Sequence, residues 1–264
     1  MGTKKFTAQV CIALCLAASA ACAQQKVMLD NYYNHETNQK TGKSYHYLWD
    51  DTADSGFSQF GELFKEQGAE ILTLDAEPED RLLKEASVYI IVDPDTPAET
   101  KEPNYMTDKA ATVIARWVKK GGVLLMMGND KNNAEFDHFN LLAAKFGMQF
   151  NKELLHPVEG KKFDMGAFVD LPAHPLFRDL KKIYMKEVAA ITCLGKAKPV
   201  LTENDKTIIA ECRHGKGYVL AVPCIFSMVC RLVKIEKMNH LCFKWHDLKD
   251  EANCAETSTE FKGV

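Results

Sequence analysis

Val88-Tyr89-Ile90-Ile91-Val92-Asp93-Pro94-Asp95-Thr96-Pro97 is the stretch that decides the fold. Five β-branched, aromatic and apolar residues stand in a row, with no polar residue on either face. They stop abruptly at Asp-Pro-Asp. A strand that is apolar on both faces belongs inside a parallel sheet covered by helices on both sides. The neighbouring segments agree. Upstream, Val27-Met28-Leu29 reads as a first strand. Ser55–Gln67 has Phe57, Phe60, Leu63 and Phe64 at helical spacing, closed by Gly68. Glu70–Leu74 reads as a second strand, and Leu82 and Leu83 mark a short helix. Downstream, Thr107–Lys120 is an amphipathic helix with a Thr N-cap and a Gly121-Gly122 stop. Val123–Met127 is a fourth strand, Asn133–Phe146 a helix and Met148–Phe150 a fifth strand. Alternating strands and helices imply an α/β fold with right-handed crossovers.

The second half changes character. Phe163–Leu171, Ile183–Thr192, Lys198–Thr202, Thr207–Cys212 and Gly217–Val222 read as strands, with tight turns at Asn204-Asp205 and His214-Gly215. The expectation is a three-layer, flavodoxin-like sandwich with a mainly parallel sheet, the architecture also of class I glutamine amidotransferases. A β-rich C-terminal extension completes the same domain, over residues 24–222.

The two ends read differently. Lys4 and Lys5, the apolar run Val10–Ala18 and Ala21-Cys22-Ala23 before Gln24 have the order of a secretory signal peptide over residues 1–23. The run is too short to span a bilayer. Export to the periplasm or medium follows. A lipoprotein reading would use Cys22, but Ser19 stands where a larger aliphatic is usual. Residues 223–264 lose periodicity and form an atypical, frameshifted or diverged tail. Six cysteines follow the leader (Cys193, Cys212, Cys224, Cys230, Cys242 and Cys254), and none lies between 24 and 192. Their spacing fits no zinc site or known disulfide framework and leaves their pairing open.

The formal net charge of −3, which becomes −5 once Lys4 and Lys5 are removed, argues against nucleic acid or an anionic membrane as partner. No stretch after the leader approaches a transmembrane length.

In open α/β sheets, ligands sit beyond the carboxyl ends of the strands, where the strand order reverses. Three polar loops would line that rim. The first supplies Asn31, Tyr33, His35 and Glu36, and continues through His46, Trp49 and Asp50. The second supplies Asp93 and Asp95, and the third Asn129 and Asp130, followed by Glu135 and His138. Aromatic rings beside carboxylates and amides suit a sugar, which offers an apolar face and hydroxyls. A long loop packed by its own aromatics explains the same residues. Asp130, Glu135 and His138 could hold a divalent cation, but helix-capping acids and an interior histidine give the same spacing, so no metal is assigned.

Catalytic signatures are missing. Neither strand exit carries the cysteine that an amidotransferase needs at a strained elbow. There is no G-x-S-x-G and no G-x-G-x-x-G, and Thr41-Gly42-Lys43-Ser44 lacks the leading glycine of a phosphate-binding loop. No catalytic residue and no cofactor are assigned.

Asp30–Phe64, Tyr89–Pro97, Asn104–Thr107 and Gly121–Asn140 together resemble a bacterial domain of unassigned function with a glutamine-amidotransferase-like fold. That domain is often fused to unsaturated rhamnogalacturonyl hydrolases, enzymes of pectin breakdown. The resemblance spans roughly residues 26–222 and fails after Val222, where Pro223-Cys224-Ile225 replaces the expected Gly-Asp-Pro-Trp continuation. It implies a non-catalytic module of a plant-polysaccharide system, binding an oligosaccharide or docking a polysaccharide-degrading enzyme. The alternative is a carbohydrate-active hydrolase using the rim carboxylates Asp50, Asp93, Asp95 and Glu135.

Overall fold

A computed structural model of the chain describes residues 24–223, apart from 39, 54 and 179. The leader, the lipidation candidate Cys22, the tail from Cys224 and its four cysteines lie outside the described residues. So does any poor packing expected after residue 226. Within them, Cys193 and Cys212 are free thiols, and no helix is long and apolar enough to cross a membrane.

The protein is a mixed α/β structure built on a nine-stranded, mostly parallel sheet. In chain order it runs β1 (Lys26–Asp30), α1 (Ser58–Glu66), β2 (Glu70–Leu74), α2 (Asp80–Leu83), β3 (Val88–Val92), α3 (Asp108–Lys120), β4 (Val123–Met127), α4 (Phe136–Ala144) and β5 (Met148–Phe150). A two-stranded ribbon follows, β6 (Ala167–Phe168) with β7 (Ile183–Tyr184). Then come β8 (Ile191–Cys193), β9 (Lys198–Glu203), β10 (Lys206–His214) and β11 (Gly217–Val222). The sheet order is β2-β1-β3-β4-β11-β10-β8-β5, with β9 on the outside of β10.

Alternation along the strands divides the core into two layers. Val27, Leu29, Val88, Ile90, Val92, Leu125, Leu220 and Val222 face α1, which brings Phe60 and Phe64. The same layer is closed by Phe168, Leu176, Phe177 and Ile183 from the ribbon segment. Met28, Tyr89, Ile91, Leu124, Met126, Val219 and Ala221 face α3 and α4, with Ile114, Trp117, Phe136 and Phe139. Helix α1 lies on one face because β1 to β2 steps leftward. The crossovers from β2 to β3 and from β3 to β4 step rightward, so their helices lie on the other face.

In the flavodoxin-like order 2-1-3-4-5 the fifth strand, Met148–Phe150, would lie beside β4, and there sequence and structure differ. The strand beside β4 is β11, parallel in register from Tyr218↔Val123 to Val222↔Met127, whereas Met148–Phe150 sits at the far end, antiparallel to β8. The central place demands burial on both faces. All six residues of β11 are buried, while Gln149 of β5 is exposed, which suits an edge. Two long strand expectations also shrink. Phe163–Leu171 forms a 3-10 turn and the two residues of β6. Ile183–Thr192 is broken by Glu187, whose φ is +54°. The Asn204-Asp205 turn between β9 and β10 has φ values of +48° and +62°, as a two-residue hairpin turn requires.

Candidate functional site

Strand order reverses between β1 and β3, so the loops leaving these strands diverge and open a crevice. A cleft of about 280 Å³ lies there. The segment after β1 contributes Asn31, Tyr32, Asn34, His35 and Glu36. The long loop that follows adds Ser44, Tyr45 and Leu48. Asp75 comes from the end of β2 and Asn104 from the approach to α3.

Buried carboxyls form the wall behind this cleft. Asp95 is 1% exposed. Its Oδ2 accepts from the His35 amide at 3.0 Å and from the Thr100 hydroxyl at 2.5 Å, and His35 Nδ1 lies 3.4 Å away. Its Oδ1 has no partner among the described residues. Burial pushes the Asp95 carboxyl above the usual carboxylate range, against the pull of Thr100 and His35. Asp93 is left-handed at φ +43°, a conformation that short polar side chains tolerate. Its Oδ2 accepts from Tyr47 Oη at 2.9 Å and Asn129 Nδ2 at 3.0 Å, while its Oδ1 is also orphaned. Burial holds this carboxyl well above its ordinary value, and Glu99 and Glu36 add repulsion. The Asp93 carbonyl accepts from Asn34 Nδ2 at 2.7 Å, tying the two strand exits together. Glu36 is buried and accepts from His46 Nδ1 at 3.0 Å.

Of the thirteen residues proposed from sequence, Asn31, His35 and Glu36 line the cleft, and Asp93, Asp95, His46 and Asn129 support it from behind. Tyr33 is part of the core, its hydroxyl buried and unpartnered among the described residues. Trp49 packs on Phe57, Phe60 and Phe64, and its indole N–H donates to the Leu72 carbonyl at 2.9 Å. It is a wedge between loop and α1, away from the cleft. Asp50 is exposed. Asp130 organises its own turn by accepting from the Asn132 amide and Asn133 side chain. Glu135 is the N-cap of α4, accepting from the Asp137 and His138 amides, and His138 stacks on Tyr105. No group of three metal-ligating side chains occurs among the described residues.

Sequence reasoning missed Asp30, Tyr45, Tyr47, Asp75, Glu99 and Asn104. Asp30 ends β1 and is 1% exposed. It accepts from the Tyr33 amide at 2.7 Å and from the Tyr89 hydroxyl. Burial raises its pKa to about 7, with the hydrogen bonds from Tyr89 and Tyr33 acting against it. Glu99 accepts from the Thr96 amide and hydroxyl, and burial raises its pKa too. Position is the clue for Asp30 and Glu99, which close or follow exits that the sequence places on the rim, whereas Asp75 ends β2, an exit that the sequence places off it.

These features define an α/β protein with an open, mostly parallel sheet and a small polar cleft at its switch point. The chain matches no family model and no curated protein. It is similar in structure to the N-terminal domain of mmIFT52, with 15% sequence identity and a TM-score of 0.62, over 85% of this chain and all of that one. The cytoplasmic protein STM1381 from Salmonella typhimurium LT2 shows 12% identity and a TM-score of 0.51, over 83% of this chain and 97% of that one. A β-galactosidase from Rahnella sp. R3 shows 13% identity and a TM-score of 0.51, but the chain spans only 32% of that enzyme. At such identities the likenesses concern the fold alone.

Proposed function

We propose that this chain is an exported, non-catalytic carbohydrate-binding module of the flavodoxin-like, glutamine-amidotransferase-like kind, serving a plant-polysaccharide utilisation system. The observation that carries the reading is the lining of the switch-point cleft: amides, hydroxyls and carboxyls interleaved with the rings of Tyr32 and Tyr45. Rings cover the apolar face of a sugar while amides and carboxyls take its hydroxyls. A volume of about 280 Å³ stands at the bottom of the range for small-molecule pockets. It suits one sugar unit held at its end, with the rest of a chain in solvent. The hydrolase reading needs two carboxyls facing the cleft about 5–10 Å apart. None of its four candidates does so: Asp50 is exposed, Glu135 is a helix cap, and Asp93 and Asp95 are buried behind the lining. Of the two carboxyls that do line the cleft, Glu36 is engaged by His46 and Asp75 is exposed at the end of β2. Cys193 and Cys212 lie on β8 and β10, beyond β11 from the cleft.

The test is calorimetric titration with a panel of pectin-derived oligosaccharides, with product release followed in the same samples. Heat without turnover, weakened about two- to twelvefold by Tyr45→Ala, is the expected result, since a lost ring contact is worth about 0.5–1.5 kcal/mol. Turnover abolished by one carboxyl substitution would make the protein an enzyme. No heat with any member of the panel would leave docking of a partner enzyme as the role.

A further inference from the structure

Resting on the sugar-binding reading, we infer that the cleft selects an uncharged sugar unit and rejects a uronate. Rhamnogalacturonan carries both kinds, neutral rhamnose and acidic galacturonate, so the choice decides which part of the polymer the protein holds.

The argument is a balance of donors and acceptors. A uronate carboxylate presents acceptors only and needs N–H or cationic partners, whereas a sugar hydroxyl both donates and accepts. Among the described residues no Lys or Arg lines the cleft, but two carboxyls do, Glu36 and Asp75. The lining amides are neutral donors: Asn34 gives one N–H to the Asp93 carbonyl and Asn104 one to the Tyr32 carbonyl at 2.9 Å. The N–H groups that remain, with those of Asn31, serve a sugar hydroxyl as well as a carboxylate without supplying a countercharge. His35 is the one lining side chain able to carry positive charge. Its Nδ1 faces Asp95 Oδ2 at 3.4 Å. The charged neighbours felt by Tyr32 and Tyr45 are all acids: Glu77 and Asp30 for the first, Glu36 and Glu99 for the second. A ligand entering this cleft therefore meets neutral amides and hydroxyls and two carboxyls, with no Lys or Arg beside them among the described residues, a lining that takes hydroxyls and repels a negative charge.

The probes are methyl glycosides titrated into the purified chain and followed by calorimetry or ligand-observed NMR. The neutral set is methyl rhamnoside, galactoside and glucoside. The acidic set is the galacturonoside and glucuronoside, and the methyl ester of each uronate is the control. Galactoside and galacturonoside differ only in CH₂OH or COO⁻ at C6. At least one neutral glycoside should bind, with every uronate at least about tenfold weaker. For a hexoside that binds, the methyl ester of its uronate should recover affinity. Asp75→Asn, at an exposed position, should narrow the gap, as should 0.5 M salt. A uronate that binds as well as or better than every neutral glycoside overturns the selectivity while leaving a sugar site in place. Binding of none of the probes overturns the sugar reading itself, and the selectivity with it.

Discussion

At the scale of single residues, the most consequential group is Asp30. Its carboxyl is fully buried and its pKa stands near 7, against an ordinary 3.8. The native state thus holds the proton more tightly than the unfolded chain. The stabilisation from this group is complete below about pH 4 and is lost as the pH rises through about 7. Asp30→Asn mimics the protonated form: its amide oxygen still accepts from the Tyr33 amide and its NH₂ can donate to Tyr89. Urea unfolding should show the variant matching the parent near pH 4. At pH 8 it should be more stable by about 2–4 kcal/mol, at about 1.4 kcal/mol per pKa unit. Parallel pH profiles for the two proteins would refute the assignment. Much of the site was legible at this scale, because a polar residue straight after a two-faced apolar strand has few places to go except the rim. Asp93, Asp95 and Asn129 followed from that rule. Trp49 did not: a tryptophan in a polar loop reads equally as a stacking platform or as a wedge, and only the proximity of Phe57, Phe60 and Phe64 decides. Glu135 has the same ambiguity between ligand and helix cap.

At the scale of elements, the contact between α3 and β11 is the tightest constraint. A Cβ built on Gly217 would lie 2.0 Å from the Val118 carbonyl oxygen and 2.4 Å from that of Gly122. Both obstacles are backbone, so neither can swing aside. Gly217→Ala should destabilise the fold by about 3 kcal/mol or more by overpacking. Gly68→Ala is the useful contrast, because it meets open space and pays only for a φ of +80°, about 1 kcal/mol. Thermal unfolding of both variants checks the order; equal losses would mean that the chain shifts to make room at Gly217. Elements were well predicted where periodicity ran over several turns, as in α1 and α3. They were poorly predicted between 163 and 192. There, apolar residues such as Phe163 and Val169 are exposed, and alternation in sequence did not correspond to burial on one face.

At the scale of the whole molecule, the last strand described occupies an interior place. Strand β11 lies between β4 and β10, parallel to one and antiparallel to the other, although about ninety residues of chain separate it from β4. Sequence alone could not show this, because local pattern says that Gly217–Val222 is a buried strand but not which gap it fills. The consequence is a gradient of local stability. Amides of β3, β4 and β11 are flanked by strands on both sides and covered on both faces. Strand β5 has three residues and, among the described residues, a single partner, β8. Opening β5 exposes little, whereas opening β11 splits the sheet and uncovers both core layers. Native-state hydrogen exchange should therefore find β11 amides exchanging only through global unfolding. Those of β5 should open at a free energy at least about 2 kcal/mol lower, as expected of edge elements. Amides of β11 exchanging as fast as those of β5 would mean that the long-range insertion is not part of the stable fold.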